Sequence, residues 1–438
     1  MERLLYRRLA LWKESSNRKP LILNGARQVG KTWLLKEFAE NEYDNFIYVN
    51  CDENEDARRI FEKDYDVSRI IRDLSAIAEV KAVPSRTLIM LDEIQEIPKA
   101  ISALKYFCED KREYHVAAAG SLLGLKVHSG TGFPVGKVDM LNLHPLSFME
   151  FLRAMGKTEM SDLISARSWE EMNSLSGVLT DALRQYYFVG GMPEAVKEYS
   201  QSNDIFKVRE IQKSILNGYE FDFSKHIPSD LLPKVQMVWN SIPSQLAKEN
   251  KKFIYSAVKK GSRAKDFENA IRWLVDAGLI HLVSRIRKIE KPLKFFEDFG
   301  CFKIFVNDLG LLGVMSGANV KDLLVSDEAF KMYKGSLTEQ FVFQQHLSAS
   351  QDKPIFYYSN EDSTSEIDFV FQFDDIYSAE VKAEINLRSK SLSVALKSNP
   401  ELQAIRFSMA GYKEQDRLVN VPLYLAEEYI RMLDGRGM

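Results

Sequence analysis

Leu21-Ile22-Leu23-Asn24, followed at once by Gly25-Ala26-Arg27-Gln28-Val29-Gly30-Lys31-Thr32-Trp33, decides how the first third of this chain is read. Lys19-Pro20 leads into the apolar run, which has the character of a short buried parallel strand. The stretch from Gly25 to Thr32 spells GxxxxGKT. After it, Trp33-Leu34-Leu35-Lys36-Glu37-Phe38-Ala39 lacks Gly and Pro and sets Leu34, Leu35 and Phe38 on one helical face. Strand, glycine loop and helix in this order make a phosphate cradle. The glycines let backbone N–H groups curl around phosphate oxygens at the positive end of a helix dipole. The expected nucleotide contacts are therefore Gly25, Ala26, Arg27, Gln28, Val29, Gly30, Lys31, Thr32 and Trp33, with Lys31 bridging the β- and γ-phosphates of ATP. Thr32 supplies a hydroxyl to Mg²⁺, which prefers oxygen ligands. A glycine turn that matches the pattern by chance is the competing reading, and the flanking strand and helix weigh against it.

A second apolar run, Thr87-Leu88-Ile89-Met90-Leu91, ends in Asp92-Glu93. Carboxyl ends of parallel strands gather around ligands, so Asp92 is placed to hold the Mg²⁺ water shell. Glu93 is expected to orient the attacking water, because phosphoryl transfer to water depends on positioning and charge. Helix capping before Ile94-Gln95-Glu96 is the alternative role for both acids. Phe46-Ile47-Tyr48-Val49-Asn50 and His115-Val116-Ala117-Ala118-Ala119 read as further strands separated by helical segments, which predicts a mostly parallel α/β sheet. Ser121, just past the last of these, is a candidate sensor of the γ-phosphate; an ordinary strand-end serine is the other reading.

Composition bounds the rest. The chain has 438 residues, 45% of them hydrophobic, and Lys+Arg 59 against Asp+Glu 62 gives a net charge of −3. A whole-chain basic footprint is absent, so any nucleic-acid contact must be local. Cys51, Cys108 and Cys301 are scattered and offer neither a disulfide framework nor a zinc clip. No stretch approaches the ~20 apolar residues of a membrane span, and a cytoplasmic protein with no membrane partner is expected.

The P-loop, Leu91-Asp92-Glu93-Ile94-Gln95, Ala119-Gly120-Ser121, His144-Pro145-Leu146-Ser147-Phe148-Met149-Glu150-Phe151 and Gly190-Gly191-Met192-Pro193-Glu194-Ala195 together resemble a family of bacterial and archaeal ATP-binding proteins. Its members join an AAA-type P-loop NTPase domain to a C-terminal domain with a restriction-endonuclease-like fold. The resemblance implies AAA-like roles for Asp92, Glu93 and Ser121, and ATP and Mg²⁺ as cofactors. AAA-type domains often form rings, which makes a homo-oligomer a candidate assembly. Where many relatives carry Gly-Arg, this chain has Gly136-Lys137. Lysine lacks the planar fork of arginine, and no arginine finger is nominated.

Four domains are expected: a P-loop ATPase domain over 1–155, a helical lid over 156–235, a winged-helix domain over 236–320, and an α/β restriction-endonuclease-like domain over 321–438. The lid expectation rests on helical patterning from about Ser161 to Asn240. In the third segment, Phe267, Ala270, Ile271 and Leu274 share a helical face, Gly278 ends the helix, and the strand Leu279-Ile280-His281-Leu282-Val283 follows. Arg285, Arg287, Lys288, Lys291 and Lys294 then precede Phe295-Phe296, which completes the outline of a winged helix. Lys259, Lys260, Arg263 and Lys265 could rest it on the phosphates of DNA, although winged helices also serve as protein-contact modules.

The last segment offers helix, three strands, helix and strand in that order. Side chains alternate along a strand. Burying Ile367, Phe369, Phe371 and Phe373 together with Tyr377, Ala379, Val381 and Ala383 requires paired residue numbers with an even sum, for example Phe373 opposite Tyr377. The other face then collects Asp368, Glu380 and Lys382, and Glu339 arrives from the preceding helix. Such a set suits metal-assisted phosphodiester hydrolysis, with Asp368 and Glu380 on Mg²⁺ and Lys382 orienting water or stabilising charge. Asp368 followed by Glu380-Val381-Lys382 also matches the PD-(D/E)XK nuclease pattern of the family resembled, with Ile367 in place of the proline. A solvated hairpin face carrying an ion pair, and a capping role for Glu339, remain the alternatives.

Overall fold

The structure, a computed structural model, describes residues 1–121, 132–248, 251–318, 327–350, 353–360, 365–383, 390–399 and 402–435. It divides into two compact units. One comprises Glu2–His144 with Asp276–Leu279; the other comprises Met1, Pro145–Val275 and Ile280–Met438.

In the first unit, β1 (Leu21–Asn24), β2 (Asn45–Asn50), β3 (Thr87–Asp92), β4 (His115–Gly120) and β5 (Asp139–Asn142) form a sheet in the order β2-β3-β4-β1-β5. Every pairing in it is parallel. All six residues of β3 and of β4 are buried, which is why both read as unbroken apolar runs. Helices return the chain from β1 to β2, from β2 to β3 and from β3 to β4. Asn54 and Asp66 start two of them by accepting hydrogen bonds from Ala57 N–H and from Ser68 and Arg69 N–H. Ile47, Val49, Ile89, Leu91 and Val116 pack under Ile70, Leu74, Leu104 and Phe107 in one continuous core. The strand order brings the carboxyl ends of β1 and β3 to the same edge with β4 between them.

The second unit begins with helices, and the two glycines of Gly190-Gly191 are explained there. A Cβ on Gly190 (φ +70°) would lie 2.4 Å from Asp308 Oδ1, and one on Gly191 would lie 2.2 Å from the Leu146 carbonyl oxygen. Asp308 is buried, accepts from Gly191 N–H at 2.6 Å and caps helix Leu309–Met315 through Leu311 N–H at 3.0 Å. Leu146 N–H donates to the Gly191 carbonyl at 2.7 Å. Ser147 and Glu150 close a capping box on helix Phe148–Ala154. The Pro145-Leu146-Ser147-Phe148 and Gly190-Gly191-Met192-Pro193 segments are thus two halves of one backbone junction.

Eight strands follow: β6 (Ile280–Ile286), β7 (Glu297–Val306), β8 (Ile355–Ser359), β9 (Glu366–Gln372), β10 (Ile376–Val381), β11 (Gln403–Ser408), β12 (Lys413–Gln415) and β13 (Leu418–Pro422). They make one mixed sheet in the order β12-β13-β11-β10-β9-β8-β6-β7. This corrects one expectation. The β6–β7 hairpin, assigned above to a separate winged helix, is the edge of the same sheet that holds the C-terminal strands, because β6 pairs in parallel with β8 through Ser284↔Phe356. The two compact units divide at His144/Pro145 and around Asp276–Leu279.

Helix Asp327–Ser350, β8, β9, β10, helix Lys390–Ser398 and β11 appear in the expected order. The β9–β10 pairing has the expected even parity but lies two residues from the example register: Tyr377 opposes Phe371, and Ile376 opposes Gln372. Phe373 joins the turn, where its N–H donates to the Asp375 carbonyl at 3.0 Å, and its ring still meets Tyr377 diagonally at 6.3 Å.

Candidate nucleotide site

Helix Lys31–Glu42 starts at Gly30, whose φ of +94° suits glycine, and no side chain caps it. Its first N–H groups therefore face the loop that precedes them. That loop needs glycine at its other end as well: a Cβ on Gly25 would lie 2.3 Å from the Leu143 carbonyl oxygen. Ala26 and Val29 are buried and pin the loop, while Arg27 and Gln28 are exposed and Trp33 is 43% exposed on the helix's first turn. Arg3 braces the loop from below, donating to the Val29 carbonyl at 2.9 Å and to the His144 carbonyl at 2.6 Å. Gly278 lies against the loop too, since its Cβ would be 3.3 Å from Ala26 N. Lys31 donates to the carbonyls of Gly25 and Ala26 at 2.9 and 2.8 Å. Burial pushes its ammonium down to about 8, with Glu93 and Asp92 pulling the other way.

Thr32 Oγ1 donates to Asp92 Oδ2 at 2.7 Å, so the two expected Mg²⁺ contacts come together although they stand sixty residues apart. Tyr48 donates to the same oxygen at 3.1 Å, and the Lys36 ammonium lies 3.8 Å from the Tyr48 ring centroid. Glu93 has a left-handed backbone (φ +48°), a conformation that costs of order 1 kcal/mol or more in a non-glycine residue. Its Oε2 accepts from Gln95 Nε2 at 2.6 Å and from Ser121 Oγ at 3.4 Å. The expected water-orienting acid and the expected sensor serine therefore share one oxygen. Arg3, Tyr48 and Gln95 escaped the sequence reading. Gln95 stood next to the acids it serves, whereas Arg3 and Tyr48 carry no local signal. A bare hydroxyl, a carboxylate, a buried ammonium and an uncapped helix start are the donor set that Mg²⁺ and a polyphosphate require.

The second expected site is assembled differently. Glu339 is buried and paired with both Lys251 and Lys303, the latter at 3.4 Å, while Lys303 also reaches Glu366 at 2.5 Å. Burial alone would raise the Glu339 carboxyl, but the two ammoniums outweigh it and hold it below its ordinary value. Burial likewise disfavours the Lys303 ammonium, and Glu339, Glu366 and Asp368 overcome that and hold it up. Asp368 accepts from Val381 N–H at 2.8 Å; burial, then Glu339, raises its carboxyl. Glu380 pairs with Lys382 at 2.8 Å, and its Oε2 is buried with no partner. Among the described residues no group of three or more His, Cys, Asp and Glu is arranged to hold a metal ion. With Glu339 neutralised by two lysines and Asp368 committed to a backbone N–H, this set does not fit a resident metal. Lys251 and Lys303 were missed, although a lysine inside Cys301-Phe302-Lys303-Ile304-Phe305 signals a buried carboxylate partner.

A parallel sheet, a glycine cradle entering a helix, and a Thr–Asp pair at the carboxyl ends of the two strands that flank β4 define the class of P-loop ATPases. Residues 17–152 match the family described as an AAA domain, and the chain carries an AAA-type P-loop ATPase domain at this position. Residues 180–322 and 334–425 match two families, each described as a domain of unknown function (DUF8612 and DUF4143). No match was found among curated proteins. Among solved structures the chain is similar to the Walker-type ATPase PABY2304 of Pyrococcus abyssi, at 14% identity over 71% of this chain and 94% of that one, TM-score 0.45. It is similar to the Orc1 protein of Aeropyrum pernix in complex with DNA, at 14% identity over 72% and 91%, TM-score 0.29. Cdc6p of Pyrobaculum aerophilum aligns at 11% identity over 74% and 96%, TM-score 0.25. At such scores these three likenesses carry no structural argument.

Proposed function

We propose that the chain is a Mg²⁺-dependent ATPase that couples ATP hydrolysis to nucleic-acid work by its second unit. The observation that supports it most is the 2.7 Å contact between Thr32 and Asp92 beside the buried Lys31. Mg²⁺, when bound, would neutralise charge developing on the phosphates and fix their geometry. Thr32 and Asp92 would hold it. Lys31 would exchange the carbonyls of Gly25 and Ala26 for phosphate oxygens, and the first N–H groups of helix Lys31–Glu42 would bind the phosphate beside it. Glu93, held through one oxygen by Gln95 and Ser121, would position the attacking water and accept its proton.

The test is ATP turnover together with fluorescent-nucleotide binding. Lys31→Ala should abolish turnover and weaken binding, while Glu93→Gln should keep nucleotide and lose roughly 10²–10⁴-fold in rate. Undiminished turnover in both variants would refute the assignment.

A second reading treats the chain as a signalling or scaffold ATPase whose C-terminal strands are a catalytically silent platform for protein partners. The neutralisation of Glu339 by Lys251 and Lys303 favours that silence.

A further inference from the structure

The β6–β7 hairpin exposes two large rings on a rigid mount. Phe295 is 83% exposed and Phe299 is 77% exposed. Neither ring hangs on a loose loop. Leu293, two residues before Phe295, is fully buried among Ile286, Phe356 and Ile367, and its N–H donates to Gln372 Oε1 at 2.7 Å. Lys291 is tied to Asp375 at 2.8 Å.

Phe299 owes its position to a break in the ladder. Ser284 opposes Phe302, but Arg285 opposes Asp298, so Phe299, Gly300 and Cys301 are extra residues on β7. Asp298, buried, closes that bulge by accepting from Gly300 N–H at 3.1 Å and from Arg285 Nε at 3.1 Å. Cys301 turns back inside and Phe299 is turned out. Bulges re-aim side chains in this way, and they also spoil an edge strand for pairing with another chain.

Exposed cations share the hairpin with the rings. Arg287 is exposed, the Lys288 ammonium lies 5.8 Å from the Phe296 ring centroid, and Lys294 is exposed with no ion pair among the described residues. Glu290 and Glu297 are acids of the same hairpin, and Asp298 lies 3.7 Å from Arg287. Phe295 and Phe299 are separated in the chain by Phe296, Glu297 and Asp298, and the exposed cations Arg287, Lys288 and Lys294 precede them on the same hairpin. Bases stack on isolated aromatic faces while cations follow the phosphates, and this tolerates any sequence.

We infer that the β6–β7 hairpin binds single-stranded nucleic acid, with bases stacked on Phe295 and Phe299 and phosphates held by Arg287, Lys288 and Lys294. The inference rests on the proposal that the second unit works on nucleic acid and names where and in what form.

The experiment is fluorescence anisotropy of labelled oligo(dT) and of a labelled duplex, titrated with the full chain. The wild type should prefer oligo(dT), and Phe295→Ala/Phe299→Ala should weaken it roughly 30-fold or more, since each of the two base stacks is worth roughly 5- to 150-fold. Phe295→Tyr/Phe299→Tyr should retain binding, and Lys288→Glu/Lys294→Glu should lose it while flattening the salt dependence. ATP turnover should be unchanged in all three. Equal oligo(dT) binding by wild type and the Phe→Ala pair would overturn the hairpin as the site while leaving the nucleic-acid reading intact. No binding of either probe by the wild type would overturn both. Equal affinity for duplex, or loss of binding to anionic phospholipid vesicles rather than to oligo(dT), would overturn the single-strand assignment.

Discussion

Tyr48 shows what one hydroxyl can do for a metal site. Asp92 Oδ2 receives two donors, Thr32 and Tyr48, and both hold the carboxylate before any cation arrives. Thr32 is itself an expected ligand, so the task of keeping the carboxylate aimed falls to Tyr48 and to the Glu93 N–H, which donates to Asp92 Oδ1 at 3.2 Å. Lys36, one turn beyond Thr32 on the same helix, covers the tyrosine ring and fixes it in turn. Tyr48→Phe keeps the ring and removes the hydroxyl. The Mg²⁺ concentration needed for half-maximal binding of fluorescent ATP should rise roughly tenfold or more, consistent with loss of one hydrogen bond to a charged group at about 1.5 kcal/mol or more. Affinity for nucleotide without metal should stay as it is; a fall in both would make Tyr48 a purely structural residue.

Strand β4 supplies more than a boundary between β3 and β1. His115, at its start, is 3% exposed, its Nδ1 bonded to the Tyr43 hydroxyl at 2.7 Å and its Nε2 buried with no partner. Its ring also meets Trp12 of helix Tyr6–Glu14 edge-on at 6.1 Å. Burial, reinforced by Arg18 and Lys13, pushes the imidazole down to about 4, below its ordinary 6.5. The unfolded chain therefore binds a proton that the folded one refuses between those values. Stability from this group is complete above about pH 6.5 and drains away as the pH falls towards 4, by a few kcal/mol at most. Urea unfolding of His115→Phe across that window should show a visibly flatter pH dependence than the wild type; parallel curves would place the acid sensitivity elsewhere. The elements themselves show what was legible in the sequence. Strand, cradle and helix were readable at β1 because the apolar run, the glycines and the amphipathic segment follow one another directly in the chain. The parity of β9 and β10 was readable because two apolar sets had to share a face. The partner of β6 was not, because β8 lies some seventy residues further on and a local hairpin looks the same at a wing or at a sheet edge. Glu339 was found but its meaning was not, because Lys251 and Lys303 come from segments with no pattern linking them to it.

At the scale of the molecule, the question is what the eight-stranded sheet does while the ATPase turns over. No helix among the described residues is long and apolar enough to cross a membrane. Lys251 and Lys303 neutralise Glu339, and Asp368 accepts from Val381 N–H, so purified protein with Mg²⁺ and ATP should leave single- and double-stranded substrates uncut on a gel. Cleavage that disappears in both Asp368→Ala and Lys382→Ala would instead restore the phosphodiesterase role that the Asp–Glu–Lys spacing suggests. One further feature bears on how the two units are joined. Asp276–Leu279 belongs to the compact body that contains the phosphate loop, and Gly278 sits against Ala26. The peptide visits that body for four residues, arriving from helix Ala264–Asp276 and departing straight into β6. A tug at Ala26 thus reaches a helix upstream and a strand downstream along covalent bonds, as a shuttle pulls one thread from both sides of the cloth.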